Sequence, residues 1–353
     1  MTTTKPVTTK LMTSELTTAK HLAATYTAKH PAKRWAWPLI VGTAAIALVG
    51  CGTSEAPKKE SSSAAKLTLT DSRGKKVTLD GPAKRVVGTE WNVVESLVSL
   101  GVKPVGAADV KGYKAYDTAA PLPSGVKDIG TRGEPSVDTV AALKPDLIVA
   151  TNDLSDSAVK QLSKVAPLIV VRAADASRQI DQMTDNVNLI ARATGTEDRA
   201  RTELAAFRKK IAAGRKELSD AGLEGKKVAF ADGWKEGSQV SVRPYVKGSL
   251  ITDVNTELGL VSPWSMKGDK GYGLAATDVE GLTKIGDAQF LYITNTTDGG
   301  DPFADGLKDN AVWKSLPFVK KGHVHRLPDG IWMFGGTASM TQYVDAVVHA
   351  LTK

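Results

Sequence analysis

One cysteine, Cys51, stands in 353 residues, so no intramolecular disulfide can form and stability must come from packing. Aromatic side chains make up only 6% of the chain, which gives the few tryptophans and tyrosines positional meaning. No apolar run reaches the roughly 20 residues a helix needs to cross a bilayer; the stretch Trp35 to Gly50 covers 16. Catalytic signatures are missing as well. There is no G-x-S-x-G elbow, no G-x-x-x-x-G-K-[ST] loop, no C-x-x-C and no H-E-x-x-H, and Gly271-Tyr272-Gly273 is too short for a dinucleotide loop. An extracellular hydrolase therefore has no nucleophile and base that the sequence can pair.

What is present begins at the lone thiol. Lys33 and Arg34 precede the apolar run, which closes on Leu48-Val49-Gly50-Cys51. A small residue before a single cysteine, after a short apolar segment with basic upstream flanks, has signal-peptide polarity. Residues 1–50 are expected to be removed as a lipoprotein leader, leaving Cys51 to carry lipid on the extracytoplasmic face of the cell membrane. The leader holds Lys5, Lys10, Lys20, Lys29, Lys33 and Arg34 against Glu15, so most of the formal charge of +8 leaves with it. A nucleic-acid partner loses its main support. Residues 51–66 are rich in Ser, Ala, Lys and Glu and read as a flexible tether.

Order is expected from Leu67. Alternation in Leu67 to Thr70 and Val77 to Leu79 around Asp71-Ser72-Arg73-Gly74 is a hairpin signature. The chain then alternates strands and helices twice. The first pass runs strand Arg85 to Val87, helix Val93 to Leu100, strand Val105 to Ala107, helix Val137 to Leu143 and strand Asp146 to Ala150. The second runs strand Lys227 to Phe230, loop Ala231 to Trp234, helix Leu250 to Leu258, short helix Asp278 to Ile285 and strand Phe290 to Ile293. Such alternation argues an α/β protein of two lobes, each with a mostly parallel sheet flanked by helices. Between them Ile180, Met183, Val187 and Ile190 recur at helical spacing, as do Ala200, Leu204, Phe207, Ile211 and Leu218. Gly195 suits the end of one helix and Thr196 the start of the next. A helix from Glu197 to about Ser219 would span about 30 Å, enough to join the lobes rigidly. The expected lobes are 67–174 and 225–353, with 175–224 as the helical connector.

In α/β sheets, ligands bind outside the carboxyl ends of the strands. Here those loops carry Trp91, Tyr113, Tyr116, Arg132, Trp234, Arg243, Tyr245 and Trp264, with Trp332 and Phe334 after a late strand His325 to Leu327. Aromatic rings offer area at little entropic cost, and guanidinium gives forked donors to oxygen anions. The combination suits a bulky, oxygen-rich ligand such as an iron chelate. Against this, Trp313 reads as core and Arg132 could equally be an ordinary exposed arginine. His323 and His325 share one strand face, but His349 is the only other histidine after Cys51, too few ligands for a zinc or manganese receptor.

At Gly130-Thr131-Arg132-Gly133-Glu134-Pro135-Ser136-Val137-Asp138, running to Leu143-Lys144-Pro145-Asp146-Leu147-Ile148, the chain resembles the iron-siderophore substrate-binding lipoproteins of ABC importers, a family that includes ferrichrome- and vitamin B12-binding proteins. Val312-Trp313-Lys314-Ser315-Leu316-Pro317-Phe318-Val319, Gly322 and Trp332 extend the likeness, which covers roughly Leu67 to the end. The resemblance implies two α/β lobes joined by one long helix, a shallow cleft, little closure, a monomer, and no enzymatic activity or cofactor. Its ligand would be a ferric siderophore of the hydroxamate class, whose iron the chelator holds; cobalamin or haem is the alternative cargo. Arg132 would meet hydroxamate oxygens, Trp91, Trp234, Trp264 and Trp332 would flank the organic shell, and Arg243 with Tyr245 would close the other side. Asp138 and Glu280 fall where the family presents acidic residues to the permease. Two departures stand out: Thr151-Asn152-Asp153 lacks the aromatic of ferrichrome binders, and His323-Val324-His325 replaces an aromatic-ending strand. Exposed lysines such as Lys111, Lys235 and Lys267 leave a tris-catecholate open.

Overall fold

The computed structural model describes residues 66–237 and 239–353. Cys51, the apolar run before it and residues 52–65 lie outside them. The ordered chain opens with the expected hairpin, β1 (Leu67–Thr70) and β2 (Lys76–Leu79), paired antiparallel from Leu67↔Leu79 to Thr70↔Lys76. Its turn is organised by the buried Asp71, whose carboxylate accepts the N–H groups of Arg73 and Lys75.

The first lobe contains β3 (Val86–Gly88), α1 (Trp91–Ser99), β4 (Gly106–Ala107), α2 (Val110–Tyr116), β5 (Lys127–Asp128), α3 (Val137–Ala142), β6 (Leu147–Thr151), α4 (Asp156–Leu162) and β7 (Leu168–Val171). Its sheet is wholly parallel in the order β5-β4-β3-β6-β7. The central strands read Val-Val-Gly and Leu-Ile-Val-Ala-Thr and are buried throughout, as strands covered on both faces must be. Between the strand and helix expected at Val105 to Ala107 and Val137 to Leu143, the chain adds α2 and β5.

The second lobe contains β8 (Val228–Glu236), β9 (Gln239–Pro244), α7 (Leu250–Glu257), a 3₁₀ turn at Glu280–Ile285, β10 (Gln289–Tyr292), α8 (Ala311–Ser315), α9 (Pro317–Lys320), β11 (Val324–Arg326) and α10 (Thr337–Thr352). Its strand order is β11-β10-β8-β9, with β9 antiparallel to β8. Here the sequence reading needs correcting. Ala231 to Trp234 is not a loop: β8 continues through it to Glu236 because β9 pairs with it from Ala231↔Pro244 to Glu236↔Gln239.

Two helices join the lobes: α5 (Gln179–Thr194) and α6 (Glu197–Asp220), separated by Gly195 at φ 69°. That left-handed position requires glycine, and a Cβ there would also crowd Pro82. Each helix enters both hydrophobic cores. Val187, Ile190, Ala191 and Ala193 of α5 and Ala200 and Leu204 of α6 pack with β3, β6 and α1 of the first lobe. Met183 of α5 and Phe207, Ile211 and Leu218 of α6 pack with β8, α7 and α10 of the second. The long helix expected from Glu197 thus runs from one core to the other, with α5 as its antiparallel companion.

Candidate ligand-binding cleft

The loops at the carboxyl ends of both sheets converge on a cleft of about 490 Å³. From the first lobe come Glu90 and Trp91, directly after β3, Arg132, after β5, and Asp153, after β6. From the second come Arg243 on β9, Tyr272, and Trp332 and Phe334 beyond β11. Tyr116, Asn92 and Leu274 complete the lining.

The floor is an aromatic cluster that crosses between lobes. Trp91 and Trp332 meet edge-on with ring centres 4.7 Å apart, Trp91 stacks on Tyr116 at 5.6 Å, and Trp332 meets Phe334 at 5.1 Å. These distances lie in the attractive range for aromatic pairs. The Trp91 indole N–H donates to the Ala108 carbonyl at 3.2 Å. That of Trp332 is buried and finds no protein acceptor.

Arg132 lies over this floor. Its guanidinium carbon is 4.1 Å from the Trp91 ring centre and 5.1 Å from that of Trp332, a double cation–π arrangement. One Nη donates to Glu90 Oε1 at 3.0 Å, and the same oxygen accepts the Trp91 N–H at 2.8 Å and so caps α1. Burial raises the Glu90 carboxyl above its ordinary value, opposed by the charge of Arg132. Across the cleft Arg243 is bound on two nitrogens by Asp232, which burial likewise pushes up. The Arg243 guanidinium lies 5.5 Å from the Phe334 ring centre and 5.7 Å from that of Trp234. Tyr272 donates its hydroxyl to Asp153, linking the lobes over the cleft. Tyr116 donates likewise to Asp298.

The structure therefore brings together six of the anticipated residues, Trp91, Tyr116, Arg132, Arg243, Trp332 and Phe334, and separates four others. Tyr113 is fully buried under Trp91 and donates its hydroxyl to the Ala120 carbonyl at 2.6 Å. Tyr245 is buried in the second-lobe core, its hydroxyl toward Asp232 at 3.3 Å. Trp264 is a core residue whose N–H donates to the Phe230 carbonyl at 3.2 Å. Trp234 is 43% exposed and, with Lys235, lines a neighbouring depression beside Asp298 to Gly306. Glu90, Asp153, Asp232 and Tyr272 were not anticipated. For Tyr272 the flanking glycines were a usable signal: Gly273 sits at φ 66°, and a Cβ there would run into the Gly248 and Ser249 backbone. Tyr272 supplies, from the other lobe, an aromatic beside the Asp153 position that lacks one.

Asp138 and Glu280 are exposed, and neither caps its helix: Ser136 caps α3 and Asp278 accepts the Gly281 N–H of the 3₁₀ turn. His323 and His325 are engaged by Asp287 and Gln289, and no group of three or more metal-ligating side chains occurs among the described residues.

Two α/β lobes held by core-spanning helices around an arginine- and tryptophan-lined cleft define a ligand-binding protein. The chain belongs to the periplasmic binding protein family, which matches residues 86–330. It is a substrate-binding protein of an ABC importer and not an enzyme. It is 28% identical over 291 residues to the Fe(3+)-citrate-binding protein YfmC of Bacillus subtilis, covering 82% of this chain and 87% of that one. Over 268 residues it is 24% identical to the iron(3+)-hydroxamate-binding protein FhuD of Escherichia coli, covering 76% and 86%. The structure of the siderophore-binding protein FhuD of Vibrio cholerae with bound Fe3+-Desferal superimposes with a TM-score of 0.68 at 26% identity, over 76% of this chain and 98% of that one.

Proposed function

We propose that the protein is an extracytoplasmic lipoprotein that captures a ferric siderophore of the hydroxamate type and delivers it unchanged to an ABC permease. One observation carries this reading above all: Arg132 is held against two indole rings at the base of an open cleft, its remaining N–H groups left for a ligand's oxygens. A guanidinium fixed this way loses little entropy when it binds. Trp91, Trp332, Tyr116 and Phe334 offer rings to the chelator's organic shell, and Arg243 approaches from the second lobe. The names of relatives support a ferric chelate as cargo, one being an iron(3+)-hydroxamate-binding protein and another an Fe(3+)-citrate-binding protein, and the former favours the hydroxamate type.

Cys51 carries the lipid, residues 52–65 tether the fold, and the protein acts as a monomer. Asp138 and Glu280, exposed on different lobes and uninvolved in capping, are the permease contacts. The test is quenching of tryptophan emission by ferrichrome and by ferrioxamine B. Both should quench at micromolar levels or below, and Arg132→Ala should weaken them about ten-fold or more, as expected for loss of charge-assisted hydrogen bonds. Absence of quenching by either chelate refutes the reading.

A further inference from the structure

The cleft contains arginines but is not basic. Arg132 gives one Nη to Glu90, and Asp232 takes the forked edge of Arg243. Asp153 adds a third carboxylate, and no lysine lines the cleft. Lys235 faces the neighbouring depression, and neither Lys111 nor Lys267 reaches the lining. Two guanidiniums thus stand against three carboxylates. Asp232 occupies the forked edge of Arg243, and Glu90 sets a carboxylate directly against Arg132, so the positive charge that a polyanion would need is offset on both sides of the cleft even though Arg132 keeps N–H groups for a ligand.

Chelate charge follows from elementary chemistry. Three singly charged hydroxamates cancel iron(III), and a pendant ammonium makes the complex cationic. Three doubly charged catecholates leave three negative charges, and citrate complexes are also anionic. We propose that Glu90 is a specificity-determining residue. Holding Arg132 and placing a carboxylate beside it, Glu90 makes the cleft select neutral or cationic ferric chelates and reject anionic ones, ferric citrate included. This rests on the siderophore reading and narrows it to a charge class. It also separates this chain from its citrate-binding relative.

The experiment titrates the whole protein, by tryptophan emission at one low ionic strength, with ferrioxamine B (cationic), ferrichrome (neutral), ferric enterobactin and ferric citrate. The wild type should bind the first two at least about ten-fold more tightly than the last two. Glu90→Gln keeps an acceptor for the Trp91 N–H but removes the charge. It should tighten the anionic chelates about ten-fold, the scale of one added charge interaction in a partly hydrated site, and weaken ferrioxamine B. Asp153→Asn, at the cleft edge, should move the ratio in the same direction, so the inference survives a folding defect in either variant. Anionic chelates bound as tightly as neutral ones by the wild type, or an unchanged ratio in both variants, would overturn it while leaving the siderophore reading intact. Failure of all four chelates to bind removes both.

Discussion

Ser339, at the start of α10, donates both its backbone N–H (2.9 Å) and its hydroxyl (2.8 Å) to Glu95 on α1 in the opposite lobe. The Gly336 N–H adds a third donor at 2.8 Å. A glutamate of the first lobe therefore caps a helix of the second, within a wholly buried interface. The caps expected from sequence are local, and this one spans 244 positions. Glu95→Ala strands three buried donors and should cost about 3 kcal/mol, the scale for breaking a buried charged network. Chemical denaturation measures it, and a loss below about 0.5 kcal/mol would contradict the cap.

Asp117 lies fully buried beside Glu95, and burial, reinforced by that neighbouring carboxylate, holds its carboxyl well above the usual range. Glu95 has three donors, so Asp117 keeps the proton. The folded state then binds a proton that the unfolded chain releases above 3.8. The stability from this group is full below that value and is lost as pH rises toward the native value, by up to about 1.4 kcal/mol per pH unit. Asp117→Asn removes the dependence. Across pH 5 to 8, its stability relative to wild type should improve with rising pH; a constant or opposite difference would place the proton elsewhere.

Phe207, buried on α6, is where that helix enters the second core. Truncation to alanine should cost about 3–5 kcal/mol. Thermal unfolding should remain a single transition, because the helix is shared by both cores. Two separated transitions would show that the lobes melt independently.

Asp138→Ala and Glu280→Ala should leave chelate binding unchanged and reduce iron uptake in cells, most strongly together. Weakened binding by the purified variants would move these residues from docking to the ligand site. Cys51→Ala should release the protein from the membrane fraction, and continued retention would argue against lipidation.

Local pattern made the parallel first sheet, the opening hairpin and the break at Gly195 legible, because strand composition and left-handed glycine are short-range signals. In the cleft, Trp91 could be read because it follows a strand end that the pattern shows, whereas Arg132 was legible only through the family resemblance of Gly130 to Asp138, since the short β5 before it carries no strand signal. Tyr113, on α2, and Trp264, in a loop, turn inward, since a ring beyond a strand can face the cleft or the core, and distant packing decides which. Trp234 was misplaced because β8 outruns its apolar segment: its last residues are exposed and held only by antiparallel pairing with β9. The Tyr272–Asp153 link joins positions 119 apart, and although the flanking glycines mark Tyr272 as a special position, nothing local names its partner.

Because α5 and α6 each bury side chains in both cores, opening the cleft like a jaw would pull apolar groups out of two interiors at once. Cargo should therefore enter without waiting for a hinge, and a loaded and an empty receptor should have nearly the same outline. The transporter must then sense occupancy at the rim, from the chelate surface itself and the side chains that settle around it.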